Sequence, residues 1–332
     1  MANPEPQHFR PRKFPAPQFP PVRPKRFSRT PPAILPPIMG LLGLGLALRR
    51  ASEALALAPA VAELVLGAAS MLWLFALLAY AAKVAQRPAV INEDLRILPG
   101  RAGLAVMGLS MLLVAAAVVP YAPGLARGLL MAGLALHAVV AVLVIRFFVL
   151  APPEAREVTP VWHLSFVGFI IGGLAAVPLG LTGLAQALLW GGMSVAAVIW
   201  GISLWQLLRR FPPAPLRPLL AIHLTPASLF ATVAALLGQT GLALGFAALG
   251  GLILVALLAA SRWLTVSGFS PLWGAFTFPV AAFASSLFAL GLDATGIMVL
   301  MLALAIVPTV AFRVLKSWAT GDLAVRTNAT AA

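Results

Sequence analysis

Of the 332 residues in this chain, 61% are hydrophobic and only 10% are charged, against about 25% charged in a typical soluble protein, and a mean hydropathy of +0.99 leaves more apolar surface than a globule can hide. Cysteine is absent, which excludes disulfides, thiol catalysis, zinc–thiolate sites and iron–sulfur ligation. The formal charge of +14 falls on one tail and on alternate loops, a pattern of membrane topology and not of nucleic-acid binding.

Residues 1–30 read as a separate region. They hold eight prolines, seven basic residues and the single acid Glu5. Proline at this density opposes helix, and too few apolar residues remain to pack a core. The expectation is a disordered, basic cytoplasmic tail that touches anionic lipid headgroups, with a docking role for the Pro-rich stretch as the weaker alternative. The apolar segment that follows opens a series of further spans, so it is not read as a cleavable signal peptide.

A membrane-spanning helix needs about 20 apolar residues. Runs of that kind lie at 32–48, 60–82, 101–121, 124–146, 160–182, 184–208, 217–238, 240–261, 271–291 and 295–315. The fold class expected is therefore all-α, a polytopic membrane protein of ten transmembrane helices paired as five helical hairpins, occupying 31–317. Residues 318–332 form a short C-terminal tail. Of the 23 Lys and Arg, all but Arg49, Arg50 and Arg127 fall on the side of the N-terminal tail. The positive-inside rule then places both termini in the cytoplasm of a plasma (bacterial inner) membrane, and an even number of spans agrees.

Prolines separate odd from even spans. Pro36 and Pro37 lie in the first, Pro178 in the fifth, Pro226 in the seventh and Pro279 in the ninth, while spans two, four, six and eight have none inside. Proline removes a backbone donor and kinks a helix, and the freed carbonyls need protein or water around them at membrane depth. Kinked odd helices are expected around a central path, with straight even helices outside. Span three, with only Gly108 and Ser110 at mid-depth and no mid-span proline, and span ten, with Pro308, fit less well.

Chemistry-bearing residues within the spans are few. His137 is clearly inside one; His163 and His223 lie nearer span ends, and Glu63, Arg127 and Asp293 can reach the interface. An intramembrane ionisable residue is a functional candidate by default; no carboxylate pair, metal-ligand spacing or nucleophile–base pair stands out. The chain is thus read as no enzyme, with neither metal nor cofactor. His137 is expected to be a packed neutral histidine bonded to a neighbouring helix, and His163 and His223 are the available titratable groups. Small and hydroxyl residues crowd the odd spans. Pro36, Gly40, Ser110, Ser165, Gly168, Thr225, Pro226, Ser228 and Thr277 are candidates to line a narrow, uncharged pore, with close helix packing as the competing role. In the segment Ser270–Pro279, Phe276 and Phe278 point in different directions on a helix. A Phe278 ring held at a Pro279 kink is placed to plug a path, with ordinary aromatic packing as the alternative.

Four stretches carry a resemblance: Pro36-Pro-Ile-Met-Gly-Leu-Leu-Gly-Leu-Gly45, Thr159-Pro-Val-Trp-His-Leu-Ser-Phe-Val-Gly168, His223-Leu-Thr-Pro-Ala-Ser228 and Leu272-Trp-Gly-Ala-Phe-Thr-Phe-Pro279. In this order on ten spans they resemble the tellurite-resistance/dicarboxylate transporter (TDT) family, which includes TehA-like proteins and the slow anion channels of plant guard cells. The resemblance implies odd helices around a central pore, homotrimers with one pore per subunit, and a gating phenylalanine that falls on Phe278, with Pro279 and Phe276 beside it. The long Pro-rich tail departs from the shortest bacterial members.

The favoured reading is an anion channel or channel-like transporter for inorganic or small organic anions in the lipid bilayer, its uncharged pore occluded by Phe278. The rival is a proton-coupled carrier of malate-like C4-dicarboxylates, or an exporter of tellurite- or sulfite-type oxyanions. A coupled carrier needs a titratable relay, and only the three histidines offer one.

Overall fold

The computed structural model describes residues 25–332. Its regular elements are helical, with no strand among the described residues: α1 (Leu35–Ala54), α2 (Ala60–Gln86), α3 (Val90–Arg96), α4 (Leu98–Val118), α5 (Pro123–Leu150), α6 (Gly173–Ala176), α7 (Thr182–Arg209), α8 (Leu224–Leu236), α9 (Thr240–Ala259), α10 (Ser261–Leu264), α11 (Thr277–Ala289), α12 (Asp293–Ala319) and α13 (Asp322–Arg326). Among the described residues nine helices are long and apolar enough to cross a bilayer, and His163–Ala176 forms a shorter apolar one.

That shorter stretch departs from the continuous span expected at 160–182. It runs as a π turn at His163–Val167, a 3-10 segment at Gly168–Gly172 and then α6. Three glycines weaken the regular helix here, and neighbouring helices decide its path instead. A Cβ on Gly168 would meet Leu109 Cδ2 at 2.7 Å, and one on Gly173 would meet Val233 Cγ2 at 2.8 Å. Pro178 lies beyond α6, in the turn that closes at Gly180 with φ +74, so it bends no span interior.

Burial alternates along the chain. In Pro32–Ala54, Leu98–Val118, Ala214–Leu236 and Pro271–Ala289, 72–78% of the most apolar stretch is buried; in the five remaining long helices the share is 17–33%. Lipid replaces water as the solvent of the outer five, so apolar side chains such as Leu64, Val142, Leu208, Leu252 and Met298 stay exposed. The inner elements touch in a closed circuit: α1 against α4, α4 against the 163–176 stretch, that stretch against α8, α8 against α11, and α11 against α1. Each also packs on the outer helix that follows it.

The prolines act differently from interior kinks. Three-ten turns Pro32–Ile34, Ala214–His223 and Pro271–Phe276 lead directly into α1, α8 and α11. Pro37, Pro226 and Pro279 are each the third residue of the α-helix that follows. A first-turn N–H has no intrahelical acceptor to lose, so proline marks where the tight turn hands over to α-helix. α4 also has a first-turn proline, Pro99, but no 3-10 lead-in; it is one unbroken α-helix and is as buried as the others. Pro308 lies inside the continuous α12, on its exposed side.

The few charges brace the two ends. At one end Arg49 Nε and Nη2 donate to both Glu63 oxygens at 2.7 Å, and Nη2 also donates to the Ala117 carbonyl at 3.0 Å. At the other, Lys83 Nζ lies 3.0 Å from Asp94 Oδ2 with both side chains fully buried, and the Tyr80 hydroxyl donates to the same oxygen at 2.9 Å. Of the tail read at 1–30, residues 1–24 lie outside the described residues. Lys25–Thr30 lie against the bundle: the Phe27 ring meets Phe75, which meets Trp318, and Ser28 and Thr30 are buried. The last residues come to the same place, with α13 burying Leu323 and the Ala332 N–H donating to the Ser28 carbonyl. Arg87 donates to the Ala331 carbonyl and to Glu93, whose carboxyl it holds below the usual range.

Candidate functional site

All five inner elements meet at one small cavity of about 40 Å³, lined from α1 by Pro36 and Met39, from α4 by Ala102 and Val106, from the fifth element by Leu164, from α8 and its lead-in turn by Ile222 and Thr225, and from α11 and its turn by Gly274, Phe278 and Pro279. A water needs roughly 10–15 Å³ measured this way, so two or three fit. Among the described residues Thr225 is the one with a polar side chain in the lining, and its buried Oγ1 has no hydrogen-bond partner among them. Among the described residues no charged side chain lines this space. A solute there would meet apolar walls, one hydroxyl and an aromatic side chain.

The ring of Phe278, 5% exposed, owes its position to α1. A Cβ on Gly43 would lie 2.7 Å from its Cδ2 and 3.0 Å from its Cε2; only glycine leaves room for the ring there. One turn earlier Gly40 admits the Thr277 side chain in the same way. The Thr277 hydroxyl donates to the Gly274 carbonyl at 2.7 Å, which ties the last 3-10 turn to the first turn of α11. Phe276, two residues before the ring, faces elsewhere. It packs edge-on against Trp273 at 5.7 Å and lines a separate cavity of about 290 Å³ beside α9 and α12. Pro279 borders both cavities.

Of the residues expected to line a pore, Pro36 and Thr225 face the central cavity with Phe278 and Pro279. Gly40 and Gly168 lie at helix contacts instead, against Thr277 and Leu109. The Ser228 hydroxyl donates to the Leu224 carbonyl at 2.8 Å within its own helix. Ser110, Ser165 and Pro226 are buried outside the cavity lining. His137 is fully buried, edge-on to Phe169 at 4.5 Å, with the backbone of Ala105 on α4 and of Ser165 on the fifth element beside its ring. His163 and His223, read separately in the sequence, are brought together: Nε2 of the first lies 3.0 Å from Nδ1 of the second. Gly43 was visible only as one glycine in a run, and its partnership with Phe278 joins residues from the two ends of the chain.

A closed circuit of buried helices around a small cavity, wrapped by lipid-facing helices, defines a polytopic membrane protein. Residues 29–316 match the SLAC1 family, described as voltage-dependent anion channel. The chain belongs to that family, which is the TDT family, whose members are anion channels or transporters. Among curated proteins none matches the chain.

Proposed function

We propose that this protein passes small inorganic or organic anions along the axis of the inner circuit, and that the Phe278 ring occludes the path. The observation that carries the proposal is the convergence of all five inner elements on a cavity bounded by that ring, seated on Gly43. An apolar constriction excludes water and blocks ions without a charged latch, and weak binding by an uncharged wall lets ions leave as readily as they enter. In this reading the chain crosses ten times as five hairpins, the 163–176 stretch completing the fifth crossing. Both termini face the cytoplasm of the plasma membrane, and three copies assemble with one path each.

A second reading, a proton-coupled carrier of C4-dicarboxylates or an exporter of tellurite- or sulfite-type oxyanions, gains support from one observation. The His163–His223 contact gives two titratable rings one shared hydrogen bond beside the inner circuit. Two imidazoliums cannot both donate across 3.0 Å, so the pair holds at most one extra proton easily. Reversal potentials in planar bilayers, with chloride on one side exchanged for nitrate or malate, separate the two. A passive path gives potentials set by the anion gradient alone; potentials that follow an imposed pH gradient support the carrier and reject the channel.

A further inference from the structure

We infer that the end of the bundle carrying both chain termini holds an anion-binding vestibule, formed by the last turns of α7, residues 157–160 and the 3-10 segment Ala214–His223, which takes a small solute bearing a carboxylate or oxyanion group. The transport reading supplies only the destination of that solute; the site stands on its own geometry.

The vestibule is a cavity of about 250 Å³, several times larger than the central one. Leu219 lines both, and Leu98 and Pro99 stand side by side in their walls, so the two spaces abut. Its polar lining comprises Arg209, Arg210, Gln206, Ser203, Thr159 and His223, with Glu157 as the one acid. The Arg209 guanidinium stacks 4.0 Å over the Trp205 ring, which fixes its plane and leaves its edge donors unused. Among the described residues the ion pairs are Arg49–Glu63, Lys83–Asp94 and Arg87–Glu93, so neither Arg209 nor Arg210 is neutralised by a neighbour. Ser203 Oγ is buried without a partner. His223 commits Nδ1 to His163, and its Nε2 makes no hydrogen bond among the described residues. The carboxyl end of α7 contributes about half a negative charge and Glu157 one more, and two guanidiniums still leave the site positive. Donors outnumber acceptors here, and the ligand that completes such a set is an anion.

The test uses the full protein in nanodiscs of phosphatidylcholine alone, titrated calorimetrically with sodium malate and with sodium sulfate. Saturable binding of at least one anion is expected. The double variant Arg209→Gln/Arg210→Gln should weaken it at least tenfold and Ser203→Ala by about threefold, whereas Arg146→Gln, which removes a charge beside a different cavity, should not. No saturable binding in the wild type, or an unchanged affinity in the double variant, overturns the inference. So does retention of phosphatidylglycerol by wild-type protein and not by the double variant in mixed nanodiscs without anion binding in neutral ones, which would assign the arginines to a lipid phosphate. Binding in the wild type with no conductance even in Phe278→Ala would refute the transport reading and leave the vestibule standing.

Discussion

Gly43→Ala tests the seat of the Phe278 ring. The added methyl carbon would lie 2.7 Å from Cδ2 and 3.0 Å from Cε2 of that ring, against an optimal carbon–carbon separation of about 3.5–4.0 Å. The ring must therefore retreat by roughly 1 Å. α1 and α11 are held close by Gly40 on Thr277 and by the buried Ala281, so the helices cannot simply separate. Overpacking of this kind costs about 1–3 kcal/mol. In a Phe278→Ala background the two offending atoms are gone, and the next neighbour, Ala281 Cβ at 3.5 Å, is an ordinary contact. The cost of Gly43→Ala should then fall close to zero, giving a coupling of about 1–3 kcal/mol in a double-mutant cycle. Reversible unfolding in mixed micelles measures the stability side of the cycle. Bilayer conductance measures the functional side, where the double variant should match Phe278→Ala alone. An equal cost of Gly43→Ala in both backgrounds would refute the claim that this glycine exists to seat the ring.

Other outcomes follow from the same geometry. Cysteines introduced into this cysteine-free chain at Gly124, Gly183, Gln239 and Ala294 should react with an impermeant maleimide from outside the cell; Gly124 and Gly183 have open space around them, and Lys25→Cys should stay unlabelled. Labelling of Lys25→Cys from outside reverses the proposed orientation. Lys83→Met leaves Asp94 buried and uncompensated and should cost about 3–5 kcal/mol, most of it recovered in Lys83→Met/Asp94→Leu; an equal loss in the double variant contradicts the pairing. His163→Ala removes the 3.0 Å contact with His223 and should leave most anion current intact. Abolished transport with abolished pH dependence, in folded protein, favours the proton-coupled carrier.

The sequence made the layered plan legible because membrane solvent leaves plain marks. Apolar runs of spanning length, basic loops on one side and mid-span prolines concentrated in the odd spans, Pro308 apart, are all readable one residue at a time. The burial pattern of α1, α4, α8 and α11 against α2, α5, α7, α9 and α12 agrees with that reading. What proline does was less legible: an interior kink and a first-turn restart have the same sequence, and only the preceding 3-10 segments distinguish them. The 163–176 stretch was read too long because hydropathy does not register how three glycines let Leu109 and Val233 set the backbone. Phe278 was visible through its neighbours Phe276 and Pro279, whereas its seat on Gly43 and the His163–His223 contact depend on tertiary approach between distant segments. Hydroxyl composition alone could not tell Thr225, which faces the cavity, from Ser228, which satisfies its own helix.

Single-channel recording of Phe278→Ala beside wild type, in symmetrical chloride and then under a chloride gradient, tests the central claim most directly. Removing the ring opens the one aromatic boundary that the described residues give the cavity shared by the five inner elements. Basal conductance should rise strongly while the reversal potential, and hence anion preference, stays where it was. Phe276→Ala, whose half-buried ring lines the separate cavity beside α9 and α12, should cost less than the ~3–5 kcal/mol of a fully buried phenylalanine and should conduct like wild type. Equal conductance in wild type and Phe278→Ala, at matched amounts of folded protein, would contradict the account and remove this residue from the path.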